Sequence, residues 1–239
     1  MINTILFDLD GTLLPLDMDK FLKIYFEEMG HHFKDVIHPK ELIKHMWAST
    51  EIMVANLEDK INEDVFMGDF GKRIASDLEL YKKGFDEFYD NGFLKAKESS
   101  FESKAMRDSI KLLKDRKYDL VIATNPIFPL KAILHRINWA GFKQEDFIYI
   151  SSYERNHYCK PQVHFYEEVL RDIHKTSEEC LMVGNDVQED LVASKAGIKT
   201  FLIEDNIINR SENQVICDYK GSYKDFYNFV ENLPDLKNF

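Results

Sequence analysis

The sequence predicts an α/β fold, a doubly wound parallel sheet interrupted by an inserted all-helical domain. Two observations carry this expectation. Through the second half of the chain, short apolar or β-branched runs alternate with helical patterns, as βαβ units and a parallel sheet require. Between about Leu16 and Lys97 the alternation stops, and apolar residues recur only at helical spacing, the mark of amphipathic helices. The expected division is an α/β core over residues 1–15 and 98–239 and a helical domain over 16–97.

Taken in order, the first strand is expected in INTILF (2–7). Helices follow from patterns such as Phe21, Ile24, Tyr25, Met29 and Leu42, Ile43, Met46, Trp47, broken by Gly30, Pro39, Gly68 and Gly84. The core then resumes with a helix over Ser103 to Lys117, a strand in DLVIAT (119–124) and a helix over Pro129 to Trp139. Next come a strand in FIYIS (147–151), a helix over Pro161 to His174 and a strand in CLMVG (180–184). A helix over Val187 to Ala196, a strand in KTFLI (199–203) and a short closing helix over Tyr223 to Val230 complete the chain. The strand runs are nearly continuous in apolar residues, which fits strands covered on both faces.

Composition narrows the function. At 239 residues and 44% hydrophobic content there is enough chain for one large domain or two unequal ones. Lysine and arginine number 31 against 42 acids, a balance of -11, so a surface that neutralises many phosphates of a nucleic acid is not expected. A small phosphorylated molecule remains compatible, because one local cation can serve it. No apolar run approaches a membrane span, and the first residues lead into a strand rather than a charged and apolar leader. The expectation is a cytoplasmic protein without a membrane partner. Three cysteines, Cys159, Cys180 and Cys217, show no metal-ligand spacing, which suits a reducing compartment.

The chemistry gathers at strand ends. Asp8 and Asp10 close the first strand in ILFDLDGTLL, Thr124 and Asn125 follow DLVIA, and Asn185 and Asp186 follow CLMVG. In a parallel sheet these ends share one edge, where ligands bind. Lys160 precedes Pro161, and proline favours the first helical position, so Lys160 is expected at a helix start. Two carboxylates about 4 Å apart repel by about 4 kcal/mol at an effective dielectric of about 20, and Asp8, Asp10, Asp186 and Asp190 would compound the effect. Protonation or a cation must relieve it. An all-oxygen set with few carboxylates suits Mg²⁺.

Asp8-Leu9-Asp10-Gly11-Thr12-Leu13 resembles the first motif of the haloacid dehalogenase superfamily, in the DxDGT form typical of its phosphatases. Thr124-Asn125 resembles the second motif, Lys160-Pro161 the third, and Gly184-Asn185-Asp186 with Asp190 the fourth, in the family's order. The resemblance implies a Rossmann-like core with a helical cap between motifs one and two. It also implies a Mg²⁺-dependent phosphomonoester hydrolase acting on a small phosphorylated metabolite through an aspartyl-phosphate. In that scheme Asp8 is the nucleophile, and Asp10 is the general acid and base whose backbone carbonyl also binds metal. Thr124, with Asn125 beside it, would hold phosphoryl oxygens while Lys160 neutralises their charge. The metal set implied is Asp8, Asp10, Asp186 and Asn185, with Asp190 behind it. One position departs from the family: the fourth motif commonly has an acid where Asn185 stands, so either Asn185 or Asp186 holds the ligand position, with Asp186 preferred. A phosphomutase, a 2-haloacid dehalogenase or a non-catalytic binding module are the alternatives on this fold. Of Met46, Trp47, Met53, Phe66, Met67 and Phe70, one or two at most are expected to face the site, since such residues at helical spacing usually form core. Pro15 and the stretch near Ser99 and Ser100 are the expected crossings between core and cap.

Overall fold

The computed structural model describes residues 1–74 and 77–238. Its elements run β1 (Thr4–Phe7), α1 (Met18–His32), α2 (Pro39–Val54), α3 (Asn62–Arg73), α4 (Leu78–Asp90), a 3-10 helix (Gly92–Ser99), α5 (Lys104–Asp115), β2 (Asp119–Ile122) and α6 (Leu130–Trp139). They continue with β3 (Tyr149–Ile150), α7 (Val163–Asp172), β4 (Cys180–Gly184), a 3-10 turn (Leu191–Ala196), β5 (Lys199–Ile203), β6 (Tyr219–Gly221) and α8 (Tyr223–Glu231).

The strands form one parallel sheet in the order β3-β2-β1-β4-β5-β6. Chain order reverses on either side of β1, which places the ligand-binding crevice at its carboxyl end. β1 and β4 are buried along their whole length because both faces are covered. Ile5, Phe7, Leu181 and Val183 pack toward the side of α5 and α8, while Leu6, Val121 and Met182 pack with Phe165, Tyr166 and Val169 of α7. This alternation along each strand is the period of two that a sandwiched sheet demands.

Several elements differ from the sequence expectation, each for a local reason. The expected helix at Pro161 begins two residues later, at Val163 behind its N-cap Gln162. Lys160 therefore sits in the preceding turn and not at a helix start. The expected helix at Val187 is replaced by a turn closed by Asp186, whose Oδ1 accepts from the backbone N–H of Gln188 and Glu189 at 3.0 Å each, and only then by the short 3-10 stretch. The edge strand β6 was not foreseen: YKG is too short, and only Gly221 is buried.

Helices α1 to α4 and the 3-10 helix after them form the insertion. Aromatic rings fill its interior, among them Phe21, Tyr25, Phe88 and Phe93, with centroids 5.6 to 6.3 Å apart. The chain crosses to and from the core along two neighbouring segments. Asp17 N donates to Ser99 O at 3.0 Å, Phe101 N donates to Pro15 O at 2.9 Å, and Leu16 and Ser100 form an antiparallel bridge. Away from this neck, the start of α3 rests on a core loop: Asn62 N donates to Asn156 O at 2.8 Å and Glu63 N to Tyr153 O at 2.9 Å.

Candidate active site

Asp8 follows β1 directly, with its N–H donating to Val183 O at 2.9 Å. Thr124 and Asn125 follow β2, and Asn185 and Asp186 follow β4, so all of these residues come to one sheet edge. They line a cavity of about 390 Å³ between core and cap, together with Asp10 and Glu189.

Lys160 ties the edge together from beneath. Its side chain is fully buried, and Nζ donates to Asp8 Oδ1 at 3.0 Å and to Asp190 Oδ1 at 2.6 Å. Burial alone would push its proton off, but the charges of Asp190 and Asp8 outweigh that and hold the ammonium well above its usual range. Burial raises Asp8 to about 6, with Asp10 adding to the effect and Lys160 opposing it. Asp190 rises to about 7 for the same leading reason, again against the pull of Lys160. The other oxygen of Asp190 accepts from Asp186 N at 2.8 Å. The absent side chain of Gly184 leaves the room for this carboxylate: a Cβ there would lie 2.1 Å from Asp190 Oδ2.

Asp10 is paired with Arg136 of α6, a buried residue whose guanidinium also lies 4.5 Å over the Phe128 ring. Burial raises the Asp10 carboxyl, and Arg136 counteracts it. One atom on each side is left over: Asp10 Oδ1 and Arg136 Nη2 are buried without a hydrogen-bond partner. Such atoms carry a free-energy cost that a ligand group can relieve.

The two residues of the fourth motif separate. Asn185 turns toward Gly11 and Thr12: its Oδ1 accepts from Thr12 Oγ1 at 2.9 Å, and its Nδ2 donates to Asn206 O at 2.7 Å. Gly11, at φ +81, admits this approach, since a Cβ would lie 2.3 Å from Asn185 Nδ2. Asp186 turns the other way and pairs with Arg210, at 2.9 Å from Oδ1 and 2.7 Å from Oδ2. Asn125 is committed to its neighbours: Oδ1 accepts from Lys160 N at 3.2 Å and Nδ2 donates to Glu189 Oε2 at 3.1 Å. Thr124 stands at the cavity wall, its carbonyl accepting from Ser151 Oγ at 2.7 Å.

The structure thus corrects the repulsion argument. Asp8 and Asp190 share Lys160, Asp10 has Arg136 and Asp186 has Arg210, so the protein's own cations offset much of the carboxylate repulsion. Among the described residues no three His, Cys, Asp or Glu side chains gather as a metal site. Arg136 was missed, although a signal existed: it falls on the buried stripe of α6 with Ala132, Ile133 and Ile137, where an unpaired charge is not tolerated. Glu189 and Arg210 carried no such signal. The cap contributes more than the expected one or two residues, since Met46, Trp47, Phe66 and Met67 all line the cavity. A helical apolar stripe looks the same whether it faces a core or a cavity.

A parallel sheet with an acid-tipped first strand, a buried lysine and a helical insertion define a doubly wound α/β protein that presents carboxylates at its switch point. A family model described as haloacid dehalogenase-like hydrolase matches residues 2–197, and the chain belongs to that family. It is similar to Pyrophosphatase PpaX of Anoxybacillus flavithermus, 25% identical over 203 residues, covering 83% of this chain and 82% of that protein. Among solved structures it resembles 2-haloacid dehalogenase from Pseudomonas syringae pv. Tomato, with TM-score 0.62 and 15% identity over 97% of this chain and 98% of that one. It also resembles the magnesium-bound HAD-hydrolase YfnB from Bacillus subtilis, with TM-score 0.59 and 18% identity over 97% of this chain and 99% of that one. Among the described residues no helix is long and apolar enough to cross a membrane.

Proposed function

We propose that the protein is a Mg²⁺-dependent phosphomonoester hydrolase working through an aspartyl-phosphate at Asp8. The observation that supports it most is the fully buried Lys160 held between Asp8 and Asp190. It sets a carboxylate nucleophile beside a fixed cation for phosphoryl oxygens. With Lys160 on Oδ1, Asp8 presents Oδ2 to phosphorus. The bond from phosphorus to the leaving alkoxide breaks as Asp10, whose carboxyl is raised by burial, gives that oxygen its proton. Asp10 then takes a proton from water as the water oxygen bonds to phosphorus, and the acyl-phosphate bond breaks to free Asp8 and inorganic phosphate. Thr124 lines the wall where the transferring oxygens would sit, and fixed donors at such a site supply most of the rate.

The residues fit a magnesium ion through oxygen donors: the Asp8 carboxylate, the Asp10 carbonyl and Asn185 Oδ1, the last brought against the Asp10 turn by its bond to Thr12. We place the fourth-motif ligand at Asn185 rather than Asp186, because the latter is neutralised by Arg210. When bound, the ion supplies positive charge to the phosphoryl oxygens and to Asp8. A second reading, halide displacement from a 2-haloacid by Asp8, is favoured by the pairing of Asp10 with Arg136 and by the apolar cavity.

Hydrolysis of phosphate esters with and without Mg²⁺, measured beside halide release from 2-haloacids, separates the two. Ester hydrolysis that needs Mg²⁺ is the expected result; halide release without it sinks the proposal. Asn185→Asp is expected to lower the Mg²⁺ concentration for half-activity, while Asp186→Asn changes it little. The opposite ranking would return the ligand position to Asp186.

A further inference from the structure

We infer that the carbon part of the substrate is an uncharged hydrocarbon group, so that the preferred phosphomonoester is that of an apolar alcohol or phenol and not of a sugar, a carboxylic acid or a second phosphate. This inference rests on the phosphatase reading above. The cavity has two unlike ends. At the sheet edge it is lined by Asp8, Asp10, Asp186 and Glu189 with Arg136 and Arg210, and each arginine is already paired with an acid there. This end takes the phosphoryl group.

Away from that edge the walls change character. From the cap come Phe21, Phe26, Met46, Trp47, Phe66 and Met67, among others, and Ile127, Phe128 and Pro129 face them from the core. Among the described residues no charged cap side chain lines the cavity. A carboxylate or phosphate held at the cap end would lose its hydration and meet no cap cation, while Arg136 and Arg210 stand at the opposite end, each already charge-paired with an acid. The polar groups on the cap side are the Thr50 hydroxyl, the Trp47 indole N–H and the tyrosines, and Tyr25 and Tyr89 hydrogen-bond each other at 3.0 Å. A polyol would therefore leave most of its hydroxyls without partners. A hydrocarbon meets none of these costs, and methionine side chains adapt readily to its shape. At about 390 Å³ the space suits one ring or a short alkyl chain beyond the phosphoryl group.

Non-hydrolysable phosphonates test this without relying on turnover. In calorimetry with Mg²⁺ present, hexylphosphonate is expected to bind about ten- to a hundredfold tighter than methylphosphonate, given the apolar surface that the added methylenes bury. 5-Carboxypentylphosphonate, of similar length with a terminal charge, is expected to lose that gain. Trp47 is 47% exposed at its site, so Trp47→Ala is tolerable to the fold; it should weaken hexylphosphonate and leave methylphosphonate unchanged. Equal affinities for the hexyl and methyl compounds, or undiminished binding of the carboxylate, would overturn the inference whatever the enzyme hydrolyses. Turnover is then compared for hexyl phosphate and glycerol 3-phosphate, both esters of primary alcohols. A preference for the hexyl ester supports the inference, and a preference for the glycerol ester overturns it while leaving the phosphatase reading intact. Tight hexylphosphonate binding with no ester hydrolysed by the protein would support the apolar site and remove the phosphatase reading.

Discussion

Asp8 keeps its proton to about pH 6 because burial penalises the anion more than Lys160 rewards it. A carboxyl whose folded value lies above its unfolded one contributes stability at low pH that is lost as pH rises through the folded value. For Asp8 the window runs from its ordinary value of 3.8 to about 6. In metal-free protein Asp8→Asn should therefore gain about 1–3 kcal/mol over the wild type between pH 4 and pH 7, while abolishing turnover. Denaturant titrations at the two pH values check the first part; a constant difference would mean that Asp8 is not strained by its site. Arg136 acts on Asp10 in the opposite sense, pulling its carboxyl down against burial. Arg136→Met should shift the alkaline limb of kcat upward by about one to three pH units, and an unmoved limb would reduce Arg136 to packing. Asp8, Asp10, Lys160 and Asp190 could be picked out as candidates from their motifs, and the structure brings them together at one sheet edge. The sequence did not show which way Asn185 and Asp186 face, because the choice depends on Thr12, Asn206 and Arg210, none of them adjacent to the motif.

At the scale of elements, β4 and β5 match the sequence expectation residue for residue, because near-continuous apolar runs have no alternative to a doubly covered strand. Short elements were less legible. β3 contributes two residues and β6 three, and neither length carries a period. The exit of β4 is the junction on which the site depends most. Gly184→Ala would drive a Cβ into Asp190, the partner of Lys160. Overpacking of this kind costs about 1–3 kcal/mol, and the displaced lysine should lower kcat/KM about a hundredfold. Thermal melts and steady-state kinetics on the same sample check both; full activity in a destabilised protein would show that Lys160 tolerates the loss of its second acid.

For the whole molecule, the presence of a helical insertion in an α/β fold was readable from where alternation stopped, whereas the apolar cavity beside it was not, since no local pattern states which stripe will meet which. We expect the cap to tighten on its ligand where it rests on the core loop. Amide exchange at Asn62 and Glu63, which donate across that contact, should slow when vanadate is bound, while Asp17 and Phe101 at the neck stay protected throughout. Equal exchange at all four with and without vanadate would argue for a cap that does not respond. The neck itself has a wider consequence. Because Pro15 to Asp17 and Ser99 to Phe101 run side by side, the chain leaves the core and returns to it at nearly one point. The insertion is topologically an appendix: it could be shortened, lengthened or exchanged for another helical module without altering the register of any strand. On the proposed reading, the reacting carboxylates and most of the apolar wall would lie in separately inheritable parts of one polypeptide, free to diverge at different rates.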